Sequence, residues 1–168
     1  MKRILVWFLA AMMAGLCACA QPEWETVDGG CVREADGAPS VICIRLPPDA
    51  VEEVFSAAGT QHVYTQPGGG YEITTEILRA SSPDAVIRQL SGFDASALHV
   101  YQSGSRSRPV WQFAWYAGSD EGGRMYRCKV VEDGAYCYAL TLSVPEASAS
   151  HYDTMAAELF SSMELQPV

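Results

Sequence analysis

The chain has 168 residues, about the size of one domain. Apolar residues make up 49% and charged residues 18%, which excludes a disordered chain, whose few apolar groups could not offset the entropy of ordering. The formal charge of −9 argues against a nucleic-acid partner, because it would bring like charge to phosphate.

Residues 1–18 read as an export signal. Lys2 and Arg3 form a positive start, and Ile4 to Leu16 then carries no charge. That run is shorter than the ~20 apolar residues a membrane-spanning helix needs. Two cleavage sites compete. Ala18-Cys19-Ala20 is a small-residue site with the cut before Gln21. Leu16-Cys17-Ala18-Cys19 resembles the lipobox of bacterial lipoproteins, with Leu at −3, Ala at −1 and Cys19 at +1. Cys17 fits less well, because Leu16 is bulky for the small-residue position before it. The lipoprotein resemblance implies that Cys19 receives a diacylglyceryl thioether and becomes the N-terminus. Loss of residues 1–18, with Lys2 and Arg3, would leave 150 residues and a charge of −11. Two acyl chains anchor stably where one does not. Anionic lipid would repel so acidic a chain, so the lipid would hold it at the extracytoplasmic face of a bacterial membrane. Residues 19–25 then form a tether and 26–168 a single α+β domain.

Along the mature chain, Trp24 to Val32 and Ser40 to Leu46 read as strands around a turn-rich loop. Pro47-Pro48 ends the second. Val51, Val54, Phe55 and Ala58 fall at i, i+3, i+4 and i+7, which predicts a short helix closed by Gly59. Gln61 to Gln66 and Tyr71 to Leu78 read as strands around Pro67-Gly68-Gly69-Gly70. Ser82 followed by Pro83 is a helix start, Val86, Ile87 and Leu90 give its apolar face, and Gly92 its end. Strands follow at Leu98 to Gln102, Val110 to Ala117, Arg124 to Val131 and Ala135 to Val144, with Glu132-Asp133-Gly134 as a hairpin turn. Tyr152, Met155, Ala156, Leu159, Phe160 and Met163 mark a last helix, and Glu164 to Val168 an edge strand.

This order predicts an α+β fold, a mostly antiparallel sheet flanked by about three helices. The meander and terminal helix from Trp111 to Leu165, with Tyr138 to Leu142 and Leu159-Phe160-Ser161-Ser162-Met163, resemble the PsbP-like sandwich. Val41 to Pro47 resembles an early strand of that family. The resemblance implies an exported or membrane-associated accessory or binding protein, and it brings no catalytic residue. A cystatin-like or other α+β roll fits the same pattern.

With Cys17 lost and Cys19 lipidated, Cys31, Cys43, Cys128 and Cys137 remain. An even number outside the cytoplasm points to disulfides. Of the three possible pairings, Cys31–Cys43 and Cys128–Cys137 join sequence-adjacent strands. Hairpin loop length tests the second: a loop of two or four residues puts both cysteines on one face, and a loop of three forbids the bond.

The sequence predicts no metal site, cofactor or catalytic residue. His62, His99 and His151 are scattered and read as surface or structural residues. There is no G-x-S-x-G elbow, and Gly68-Gly69-Gly70 precedes a strand where a phosphate loop needs a helix. Two features could form a binding surface. Trp111, Phe113 and Trp115 are a stripe that is either core under a helix or an exposed stacking platform. Arg106, Arg108, Arg124, Arg127 and Lys129 are either ordinary solvated charge or a site for an anion or acidic partner. The reading is therefore a non-enzymatic, membrane-anchored binding or accessory domain, meeting an envelope protein or small ligand. The alternatives are an exported enzyme with a site assembled from distant residues, and a structural envelope protein.

Overall fold

The computed structural model describes residues 24–30, 39–55, 60–79, 82–118 and 122–168. The signal segment, Cys19, Cys31, and the expected helix end at Ala58 and Gly59 lie outside the described residues. In chain order the strands are β1 (Glu25–Gly30), β2 (Ser40–Leu46), β3 (Val51–Phe55), β4 (Gln61–Thr65), β5 (Glu72–Arg79), β6 (Tyr101–Gly104), β7 (Pro109–Ala117), β8 (Arg124–Asp133), β9 (Tyr136–Pro145) and β10 (Glu164–Pro167). The helices are α1 (Pro83–Ser91) and α2 (Asp153–Ser162), with 3₁₀ segments at Ala95–Ala97 and Glu146–Tyr152. Seven strands form one sheet in the order β3-β4-β5-β9-β8-β7-β6, and three form a second, β1-β2-β10. The ladders are antiparallel.

β9 lies at the centre of the large sheet, and its alternating side chains feed two cores. Tyr138, Leu140, Leu142 and Val144 pack on one side with Ile42 and Ile44 of β2 and Leu159 of α2. Cys137 and Ala139 pack on the other with Val86 and Ile87 of α1. Burial on both faces is why β9 reads as a nearly continuous apolar run. Each fully buried Leu there contributes about 1.5–3 kcal/mol.

The expected start and stop of α1 form as the sequence predicts. Ser82 Oγ accepts from the Ala85 N–H at 3.3 Å, Pro83 takes the first helical position, and Gly92 adopts φ 78°. The tail β10 pairs with β2, placing Leu165 opposite Ile42.

Three expectations are corrected. First, Val51–Phe55 is strand β3, so the described residues hold two α-helices where about three were expected. A helix of two turns must meet its nucleation cost with few bonds in return. β-branched Val51 and Val54 suit a strand, and β4 supplies a ladder. Second, the β8–β9 loop is Gly134-Ala135, because Asp133 pairs with Tyr136. Glu132 and Asp133 therefore belong to β8, and Gly134 supplies the positive φ of 65°. Third, the strand expected from Leu98 begins at Tyr101, after the 3₁₀ turn.

Candidate functional site: a groove beside the last helix

The pleat of β7 sends alternate side chains to opposite faces. Trp111, Phe113 and Trp115 go under α1 and the segment that follows it, where they are 6%, 4% and 8% exposed. Trp115 stacks on Tyr126 with ring centroids 5.0 Å apart. The stripe is core, which overturns the platform reading of Trp111 and Trp115: α1 and Leu98 cover it.

Gln112 and Ala114 leave β7 on the other face and are exposed. With α2 they form a groove of about 390 Å³ lined also by His99, Arg127, Asp153, Ala156, Ala157 and Phe160. Small side chains at Ala114, Ala156 and Ala157 leave the room. β6 continues the floor, because Tyr101 pairs with Gln112 and its side chain is 67% exposed.

The groove's electrostatics come from β8. Arg127 Nη2 lies 2.5 Å from Asp153 Oδ1 in the first turn of α2. Two residues on, Lys129 Nζ donates to the Phe160 carbonyl at 2.7 Å. The carboxylate sits at the helix's positive end and the ammonium at its negative end. Burial pulls Lys129 below its ordinary value. The groove therefore combines an apolar wall, amide and imidazole groups at Gln112 and His99, and one ion pair.

Of the basic residues expected to act together, the structure brings only Arg127 into this groove. Arg108 Nη2 bonds Asp133 Oδ2 at 3.0 Å beside the β8–β9 hairpin. Arg124, at the other end of β8, donates from Nε to Ser143 Oγ at 2.6 Å and from Nη2 to the Ser143 carbonyl at 3.0 Å. Arg106 is exposed in the β6–β7 loop. Nine residue steps along β8 separate Arg124 from Asp133, about 30 Å, so these arginines form no single surface.

Cys128 and Cys137 share a face, but Cys128 pairs with Thr141, four residues along β9 from Cys137. That offset is about 13 Å, and a disulfide spans at most ~7 Å between Cα atoms. The expected Cys128–Cys137 bridge is therefore absent, and both thiols are free. Burial pushes Cys128 up to about 12 and Cys137 to about 11. Both therefore stay protonated at neutral pH, in the less nucleophilic thiol form. Cys43 lies on β2 and its expected partner Cys31 is outside the described residues. Among the described residues no group of three His, Cys, Asp or Glu could hold a metal ion, and no helix is long and apolar enough to cross a membrane.

Sequence reading missed His99 and Asp153. They lie far from Arg127 in the chain, and only β6–β7–β8 pairing and the docking of α2 bring the three to one groove. Asp153 did carry one local signal, an acidic residue in a helix's first turn.

The sequence matches no family model and no curated protein. Solved structures do match. CyanoP, the cyanobacterial PsbP of Synechocystis sp., aligns with a TM-score of 0.60 at 11% identity, covering 90% of this chain and 98% of that one. LpqN of Mycobacterium tuberculosis, described as involved in cell envelope biogenesis, aligns with a TM-score of 0.55 at 14% identity, covering 88% and 100%. A Bacteroides thetaiotaomicron protein aligns with a TM-score of 0.51 at 13% identity, covering 74% of this chain and 45% of that chain, so this chain spans less than half its length. At these identities the likeness is one of fold: the chain has the PsbP-like α+β sandwich.

Proposed function

We propose that the chain is a lipid-anchored binding or accessory domain at the extracytoplasmic face of a bacterial membrane, with the groove beside α2 as its contact site. The observation that carries the location is the lipobox Leu16-Cys17-Ala18-Cys19 behind a charge-free run of signal length. The fold shared with LpqN, a protein described as involved in cell envelope biogenesis, supports it. For the contact site, the support is the groove itself: apolar along α2, open to solvent, and furnished with Gln112, His99 and the Arg127–Asp153 pair. Such a mixture orients a ligand through a few polar groups and gains affinity from apolar burial. The occupant would be an envelope protein segment or a small ligand. A bridge from Cys43 to Cys31 would brace the first two strands.

The test is site-specific photo-crosslinking in intact cells. A photoreactive residue at Gln112 or Ala157 is expected to capture one discrete partner. The same residue at Glu53, on the exposed edge strand β3, is expected to capture none. Equal capture from all three positions would refute the groove as the contact site.

A further inference from the structure

We infer that the end of the sandwich carrying Leu46, Asp49 and the β4–β5 turn faces the bilayer, and that the β8–β9 hairpin faces away from it. The inference rests on the lipid at Cys19 proposed above. Five residue steps separate Cys19 from Trp24. An extended chain covers at most ~3.6 Å per residue, so the lipidated residue and Trp24 lie within about 18 Å of each other.

Trp24 packs on the core where β1 begins, and Glu25 pairs with Leu46, the last residue of β2. Three residues on, the Asp49 carboxylate accepts from Tyr71 Oη at 2.6 Å and from Gln66 Nε2 at 2.6 Å. These two residues flank the turn between β4 and β5. Tyr71 meets the Tyr152 ring edge-on with centroids 6.2 Å apart. The link from β2 to β3, the β4–β5 turn and the segment entering α2 thus share one end of the molecule with the tether.

The opposite end is fixed by Ser40, which opens β2. Its Oγ donates to Asp133 Oδ2 at 3.0 Å, and Arg108 bonds the same oxygen at 3.0 Å. β9 runs from this end, at Tyr136, to Pro145 at the tethered end. Its nine steps span about 30 Å. Turning the hairpin down onto the bilayer would lift Trp24 by about that distance, beyond the ~18 Å that the tether allows. Covalent length alone therefore excludes the inverted orientation. Pro48, Asp49, Pro67, Gly68 and Gly69 are exposed at the tethered end. Beside them Val51 is 50% exposed but too short for deep insertion, and Asp49 would be repelled by anionic headgroups. The surface that this end fits is the zwitterionic headgroup layer around its own anchor.

The test uses the full lipidated protein, isotope-labelled, in phosphatidylcholine nanodiscs doped with a gadolinium-chelating lipid. Relaxation enhancement is expected to be at least roughly tenfold larger at the Gly68 and Gly69 amides than at Gly134 and Ala135. Inserting a Gly-Ser linker of about 20 residues after Ala20 should abolish the difference, because the tether then spans the domain. Equal or reversed enhancement in the unmodified chain overturns the orientation. The intact mass of the same sample reads the anchor separately. A chain with no lipid on Cys19 overturns the anchor and this inference together, whereas a lipidated chain with a reversed pattern overturns only the orientation.

Discussion

The Arg127 guanidinium meets the Asp153 carboxylate at 2.5 Å, joining the middle of β8 to the first turn of α2. Lys129, two residues on, holds the last turn through the Phe160 carbonyl. One strand thus grips both ends of one helix, and the groove's wall is fixed against its floor. Because this ion pair is partly solvated, at 30% and 60% side-chain exposure, its contribution is screened. A double-mutant cycle with Arg127→Ala and Asp153→Asn should give a coupling of about 0.2–1 kcal/mol that shrinks in high salt. Urea unfolding at two salt concentrations measures it. A large, salt-independent coupling would mean that the pair is buried as the geometry does not show.

Neighbouring residues on β7 should behave in opposite ways. Trp111 is core and Gln112 is groove floor. Trp111→Ala should cost about 3–5 kcal/mol, and Gln112→Ala should stay within about 0.5 kcal/mol. Equilibrium denaturation of both variants compares them. A mild Trp111→Ala would reopen the platform reading.

The two buried thiols give a pH signature. Their folded values are raised from 9.0, to about 12 for Cys128 and about 11 for Cys137, first by burial. The folded state therefore keeps protons that the unfolded chain loses. Stability from this source is complete below pH 9 and falls as pH rises from 9 through 11 and 12. Folded protein should resist a thiol reagent at Cys128 and Cys137 at neutral pH and react once urea is added. Peptide mapping without reductant should recover both as free thiols. A Cys128–Cys137 bridge in that map would contradict the strand register.

Glu76 gives a signature at the acid end. Burial raises its carboxyl from 4.5, and Gln61 Nε2 donates to it at 3.2 Å. A raised folded value means that stability is complete below 4.5 and declines as pH rises past it. Glu76→Gln removes the titration, so it should gain stability relative to the parent at pH 7 and lose that gain near pH 4. Thermal unfolding of both proteins across this range reads the difference. A pH-independent difference would show that Glu76 is solvated.

Much of the fold was legible because its signals are local. Ser82-Pro83 and Gly92 bound α1 through backbone chemistry that needs no distant partner. β7 alternates buried and exposed residues from Trp111 to Tyr116, and β9 is a nearly continuous apolar run bounded by Gly134 and Pro145. Residues 51–55 were not legible, since Val51, Val54 and Phe55 keep a helical spacing while a register shift between Glu52 and Val54 breaks the strand alternation, and only pairing with β4 reveals the strand. The cysteine pairing turned on where the two-residue loop sits: at Gly134-Ala135 it pairs Cys128 with Thr141, four residues from Cys137. The groove was hidden for a deeper reason. Its polar groups, Gln112 of β7, Arg127 of β8, Asp153 of α2 and His99 in the link before β6, are far apart in the chain, and only the ladder register and α2 docking assemble them.

Lipid on Cys19 would hold this PsbP-like domain to a membrane. The most direct measurement is the intact mass of the protein extracted from the membranes of its bacterial host. The expected product is a chain beginning at residue 19 and carrying a diacylglyceryl group. An unmodified chain beginning at Gln21 would contradict it.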